Sequence, residues 1–459
     1  KMIDKIDKES AEVTKMGENW PIISALLGGT TAIRKGREKY LPQWPKESDD
    51  NYKTRVSRAT LYPAFKRTLK VLASKPFSKS LAIKDDVPES IRGYLDDVDL
   101  QGRNLQAFLF DVMKTAIAYG IDGVLVEFPK KGNASVTVAD EKAEGLRPYL
   151  VQYPPGSVLG WRKERINGVE KLTQLRLKET FAEPGGEYGE SDVTQIRVLS
   201  IDKWEIFRKD KNGDWVSYDH GVNTIGEIPF VPFYGDRTGF MTGESPLAEL
   251  AHQNIEHYQS CSDQQTILHM ARVPILITIG LDPETSITVG GPSATNLPMG
   301  SSMQFVEHSG AAIAAGRQSI LDLEERMRQT GAELLMMQPG QIATIKIASE
   351  NEANRCDLQR IAENFEDSIN QVLQFMAKWV GEENGGTVEL FKDFGVSALG
   401  TTDSNVLLSL SQAGIISNET TFNEQKRRGI LSADLTFEDE KEKIDEQGPP
   451  LGTIGKPRE

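Results

Sequence analysis

The sequence predicts an α+β protein, and three observations carry that reading. Leu105, Phe108, Leu109, Val112, Ala116 and Ile117 recur at three- and four-residue spacing, the apolar stripe of a helix packed on a core. Directly after Tyr119-Gly120, Val124, Val126 and Phe128 alternate as a strand, and strand-like runs follow at 149–153, 172–177, 196–199 and 204–207. Far along the chain, Leu358, Ile361, Phe365, Ile369, Val372, Leu373, Met376 and Val380 keep a 3.6-residue period.

Residues 53–79 come first and carry eight Lys or Arg with no acid. Pro63 splits them into two short helical pieces, and Leu69, Val71 and Leu72 offer a narrow apolar face. The block reads either as a solvated or inter-subunit salt-bridge face, or as a surface for phosphates or an acidic partner. The 105–119 helix and the strand meander, with Asn212-Gly213 before Trp215 as a hairpin signal, form one α+β unit over residues 20–235.

Ser245-Pro246 is a helix start, because serine can cap and proline at the first helical position loses no needed donor. This helix should run to about Met270. Leu247, Leu250, Ala251, Ile255 and Tyr258 line one side of its first half, whereas the second half, YQSCSDQQT, is nearly all polar and calls for solvent or neighbouring chains around it. Residues 273–306 read as a small β module, with strands ILITIGL, SITV and MQFV around GGPSATNLPMG. Helical signal returns from Ile313 to Met337, with Gly331 as a weak point, until Pro339-Gly340 interrupts it. The long helix is expected from about Glu352; a VELF strand, a helical hairpin and an acidic, fraying tail complete the chain.

Composition narrows the function. The 459 residues suggest two to four compact units, and 53 basic against 67 acidic residues give a net charge of −14, which excludes a bulk polycation. A hydrophobic content of 38% with 26% charged residues suits a folded protein with modest cores that lean on partner subunits. Cys261 and Cys356 alone do not make a disulfide framework and fit a reducing compartment. The apolar run Val273–Leu281 falls short of the roughly 18 residues a membrane span needs, so no membrane partner is expected. The opening Lys1 suggests a missing natural start, and KMIDKIDKES is no secretory signal.

Catalytic motifs are lacking. The single Gly-Lys pair, Gly455-Lys456, precedes Pro457 rather than Ser or Thr, and neither GxGxxG nor GxSxG occurs. His252 and His257 lie five apart, about 140° around a helix, not at the i, i+4 spacing of a zinc pair. Carboxylates such as Asp393 are scattered. The expectation is no enzyme, no metal and no cofactor.

In several blocks the chain resembles the portal proteins of tailed bacteriophages, the head-tail connectors through which DNA is packaged and ejected. RVSRATLYPAFKRTLKVLASKPF resembles an N-terminal segment of one portal subgroup. IPFVPFYGDRTGF followed by ESPLAELAHQNIEHYQSCSDQQTILHMARVPILITIGL resembles the entry to the first stem helix and the clip. GAELLMMQPGQIATIKIASENEANRCDLQRIAENFEDSINQVLQFM resembles the helix, tunnel loop and kinked long helix, and LSQAGIISNETTFNEQKRRGIL a C-terminal element. These blocks span most of residues 53–440, and their order is the specific signal.

The resemblance implies a portal-like fold: an α/β wing (1–243), helical stem (244–271 and 313–337), β-containing clip (272–312), tunnel loop (338–351), long wing helix (352–382) and helical crown with tail (383–459). It implies a homo-oligomeric ring, usually of twelve subunits, at one capsid vertex of the virion, assembled in the host cytoplasm. Its implied partners are double-stranded DNA passing without sequence readout, the terminase large subunit, a head-completion or tail adaptor, and the major capsid or scaffold protein. In the tunnel loop, Gln338, Pro339, Gly340, Gln341, Thr344 and Lys346 would face DNA. Lys346, the single cation between Arg328 and Arg355, either touches phosphates or pairs with Glu350 or Glu352 of a neighbour. In the clip, Ile287, Val289, Pro292, Asn296, Pro298 and Met299 would meet a partner or a neighbouring subunit, unless the module is a plain β insertion. A virion adaptor or scaffold without a channel is the alternative, and an unrecognised enzyme the third class.

Overall fold

The computed structural model describes residues 6–129, 146–186, 188–272, 275–280, 299–306, 310–335, 356–392, 413–427 and 435–447, with positions 409, 411 and 431. Short helices open the chain: α1 (Ala11–Met16), α2 (Trp20–Leu27), α3 (Gly29–Gly36), α4 (Asp49–Arg58) and α5 (Ala64–Ser74). Ser10 and Ser48 cap α1 and α4, their hydroxyls accepting from Val13 N–H and Asn51 N–H. The basic block is broken at Pro63 as the sequence predicts, and Leu69 and Leu72 are buried. Val71 is not: it is 54% exposed, and the inward face is completed by Phe65 and Ala73.

Strand β1 (Ala82–Ile83) and helix α6 (Glu89–Arg92) lead to α7 (Leu105–Tyr119), capped by Asn104 through Ala107 N–H at 2.8 Å. Its stripe from Leu105 to Ile117 is buried as expected. Gly120 ends the helix at φ 93°, and a Cβ there would lie 2.4 Å from the Glu244 backbone, so both conformation and space demand glycine.

Two sheets follow. Strands β2 (Ile121–Glu127) and β3 (Tyr149–Tyr153) belong to one; β4 (Val158–Ile166), β5 (Val169–Pro184), β6 (Glu190–Ser200), β7 (Lys203–Lys209) and β8 (Trp215–Val222) form a five-stranded antiparallel meander. The hairpin between β7 and β8 turns at Asn212-Gly213, where Asp210 N–H donates to Asp214 O. Strand β9 (Phe230–Tyr234) returns to complete the three-stranded order β3-β2-β9, and β10 (Asp236–Gly239) pairs with β11 (Thr242–Glu244).

Helix α8 (Ala248–Ala271) starts three residues later than Ser245, because Ser245 turns the chain first: its hydroxyl donates to Ile117 O and accepts from Leu247 N–H. A β12 (Ile275–Ile279) and β13 (Ser302–Val306) ladder leads to α9 (Ala311–Glu333), then α10 (Asp357–Val380), β14 (Val388–Glu389), α11 (Asn418–Arg427) and α12 (Phe437–Gln447). Helix α10 begins at Asp357 rather than Glu352, with Cys356 as cap and Gln359 Oε1 accepting from Cys356 N–H. Part of the acidic tail forms α12, and the PPLGTIGKPRE end expected to fray lies outside the described residues.

One large core joins residues far apart in the chain, from Ile23 to Leu390. Val124, Val126, Val231 and Phe233 on one face of the three-stranded sheet pack with α7 and α10, and the Phe233 and Phe365 rings lie 4.6 Å apart. On the opposite face, Leu125, Tyr153 and Phe230 pack with Leu175, Leu177 and Leu199 of the meander. Arg197 bridges the two sheets within a largely buried polar cluster. It pairs with Glu127 and, 2.8 Å from Nε, with Glu179; the Tyr149 and Tyr153 hydroxyls donate to the same two carboxylates at 2.6 and 2.5 Å. These acids hold Arg197 protonated against its burial, and burial keeps both phenols neutral.

Candidate assembly surface and helical hairpin

The site suggested by the sequence centres on α8, α9 and what joins them. The two helices pack antiparallel, and their inner ends are anchored in the main core through Leu247, Leu250, Ala251, Tyr258, Leu323 and Met327. Asn254, 1% exposed, ties α8 to α5 by accepting from Phe65 N–H and donating to Tyr62 O. Gly331 is a close approach rather than a weak point: a Cβ there would stand 2.9 Å from Thr68 Cγ2 of α5.

The polar second half of α8 is partly satisfied within the chain. Gln259 donates to Tyr40 O at 2.9 Å, and Gln264 donates to Ile313 O of α9 at 2.9 Å. Beyond Ser262 no described side chain of α8 is buried, and none of α9 before Leu323. Met270, Ile277, Ile279 and Leu321 are left exposed along the hairpin and its ladder, and Met299 is fully exposed. A two-stranded ladder is marginal by itself in water.

His257, Cys261 and Glu324 meet between the two helices. His257 Nε2 lies 3.2 Å from Glu324 Oε1, and Cys261 Sγ lies 3.6 Å from that same nitrogen. The thiol also lies 3.8 Å from His257 Nδ1, so it stands beside the ring edge and favours neither nitrogen clearly. Burial, then the Glu324 charge, raises the thiol above its usual range, so Cys261 stays protonated. The cluster fastens α8 to α9 through the His257–Glu324 contact. His252 instead contacts Asn19 Oδ1 at 3.1 Å. Among the described residues no three His, Cys, Asp or Glu side chains are placed to hold a metal ion, and no helix is long and apolar enough to cross a membrane.

Next to the hairpin, Arg55 is buried in a polar lock that sequence reading counted only as one of eight cations. It bonds Glu47 through Nε (2.9 Å) and Nη2 (2.8 Å), donates to Pro42 O and stacks 4.2 Å from the Trp44 ring. The guanidinium holds the Glu47 carboxyl below its usual range. Trp44, Arg58, Ser262, His269 and Met270 line a cleft of about 520 Å³ between α4 and α8.

Gln338, Pro339, Gly340, Gln341, Thr344 and Lys346 lie outside the described residues, as do Ile287, Val289, Pro292, Asn296 and Pro298; of the expected contact residues, Met299 alone is described.

A family model described as a domain of unknown function, DUF4055, matches residues 246–380, from α8 through α10. No curated protein matches the chain. Among solved structures, the chain is similar to one in the neck of an empty gene transfer agent particle computed with C6 symmetry. That likeness has 13% identity and a TM-score of 0.42, over 80% of this chain and 90% of the other. A chain of the virion of a native gene transfer agent particle gives 12% identity and 0.42, over 86% and 97%. A third, from the neck of the native particle computed with C12 symmetry, gives 14% and 0.38, over 81% and 90%.

Proposed function

We propose that this chain is a portal subunit: copies close into a ring at one capsid vertex and conduct DNA without catalysis. The observation that carries the reading is the hairpin of α8 and α9. The helices are about 36 and 35 Å long at 1.5 Å per residue, the outer half of the pair has no buried described side chain beyond Ser262, and among the described residues it carries a two-stranded ladder. With so few of its described side chains buried, such a hairpin gains stability when copies stand side by side. The order of portal-like sequence blocks supports the same assignment.

In this reading the hairpin is the stem, the ladder part of the clip, and Lys346 a sparse cation ring that touches phosphates without holding them. The clip rim receives the terminase large subunit and later a head-completion or tail adaptor, and the wing meets capsid or scaffold protein. Native mass measurement with negative-stain imaging tests the proposal. A closed ring of about twelve copies with an axial hole of roughly 20 Å or more, enough for a duplex, is expected. A monomer or dimer at high concentration overturns it, and a ring without a hole leaves a non-channel virion adaptor. In such a ring, Lys346→Glu should lower packaging yield or slow ejection; unchanged values would remove Lys346 from the DNA path.

A further inference from the structure

Two oppositely charged surfaces of this chain are only partly neutralised within it. Arg34 and Lys35 of α3, Arg58 of α4, and Lys66, Arg67 and Lys70 of α5 form one cationic surface. Arg34 Nε donates to Ala59 O (3.0 Å) and Leu61 N–H to Thr30 Oγ1 (3.3 Å), which ties α3 to the connection between α4 and α5, and Lys66 Nζ donates to Leu27 O (3.1 Å) at the end of α2. Lys53 and Arg55 nearby have carboxylate partners, at 3.2 and 2.8 Å. Among the described residues these six have none, in a chain whose net charge is −14.

The second face is acidic. Helix α6 packs on the C-terminal end of α10, joined by Ser90 Oγ donating to Glu382 Oε1 at 2.8 Å and Thr387 N–H donating to Asp86 Oδ1 at 3.0 Å. This gathers Asp85, Asp86, Glu89, Glu382 and Glu383 at the surface. The neighbouring cations are occupied: Lys84 pairs with Glu389, and Arg92 donates to Lys84 O at 2.6 Å while reaching Glu89 only at 3.9 Å.

We propose that the cationic face of one copy receives the acidic face of the next. This rests on the ring reading and adds which surfaces meet. A passing duplex would account for the cationic face alone, and the net negative charge would oppose it; a second copy accounts for both faces. Two different patches that complement each other make a head-to-tail contact, the kind that closes rings.

The test uses the full chain and two exposed triple variants, each checked for native circular dichroism. Lys66→Glu/Arg67→Glu/Lys70→Glu makes the first face acidic; Asp85→Lys/Glu382→Lys/Glu383→Lys makes the second basic. Each alone should raise the concentration for half-assembly at least about tenfold at 0.15 M salt. An equimolar mixture should assemble again, because an alternating ring then pairs opposite charges at every contact. Variants that assemble like wild type, or a mixture that stays dissociated, overturn the proposal while leaving the ring reading intact. Loss of affinity for a 30-base-pair duplex with assembly unchanged assigns the cationic face to DNA and also overturns it. A wild-type chain that never assembles removes the ring reading itself.

Discussion

Asn254 and Phe65, far apart in sequence, form a helix cap between them: the Asn254 Oδ1 accepts from Phe65 N–H at 3.0 Å, while its Nδ2 holds Tyr62 O at 2.9 Å. The proline-led start of α5 has no side-chain cap of its own. Removing the buried partner leaves Phe65 N–H unsatisfied, at about 1–3 kcal/mol, while Tyr62 O keeps its bond from Ala64 N–H at 2.9 Å. Asn254→Ala should therefore lower the urea midpoint clearly with an unchanged m-value, and Asn254→Asp, which loses the donor and buries a charge, should lower it too. A midpoint equal to wild type for both would show that α5 needs no support from α8.

Arg197→Leu should be among the costliest single changes, about 3–5 kcal/mol, because Glu127 and Glu179 would remain buried without their cation. Adding Glu127→Gln and Glu179→Gln should restore much of the loss. If thermal melts showed the triple variant no better than the single one, the energy would reside in packing instead.

Asp122 is 1% exposed, and burial lifts its carboxyl well above the ordinary value of 3.8 despite hydrogen bonds from Gln152 Nε2 and Gly123 N–H. A raised folded value means that the stability from this group is full below 3.8 and is lost as pH climbs through the raised value. Asp122→Asn should thus melt above wild type at pH 8, with the gap narrowing towards pH 5. A gap that stays constant over that range would contradict the linkage.

Gly331→Ala should cost about 1 kcal/mol net, since crowding against Thr68 outweighs the roughly 1 kcal/mol gain in helix propensity. In a Thr68→Ala background the same change should stabilise. Additive effects in the double-mutant cycle would refute the close approach.

Much of the fold was legible where one physical signal dominates. The stripe of α7 ends at its left-handed glycine, and the period of α10 matches its buried face from Leu358 to Met376. The β4–β5 turn was missed although Asn167-Gly168, at φ 51° and 82°, carries the same hairpin signal as Asn212-Gly213. Its flanks, WRKERI and VEKL, are charged, so alternation is weak there. Sequence alone could group the cations of 53–79; it could not bring Arg34 and Lys35 beside them, or separate the buried Arg55 from the exposed Arg58. Those facts arise from long-range contacts without local periodicity.

The core shared by α7, the three-stranded sheet and α10 also sets an order of events in synthesis. Phe233 is made well before Phe365, with the hairpin and its ladder in between. At about 5–20 residues per second the part of the apolar sheet face that α7 does not cover waits on the order of ten seconds before α10 emerges. A truncated or stalled product would present that face, with Val124 and Val231, to the cytosol and to other nascent chains. Full-length yield in a heterologous host should therefore depend on holdase chaperones, and separate expression of the first 240 residues should give insoluble material unless α10 is supplied in trans.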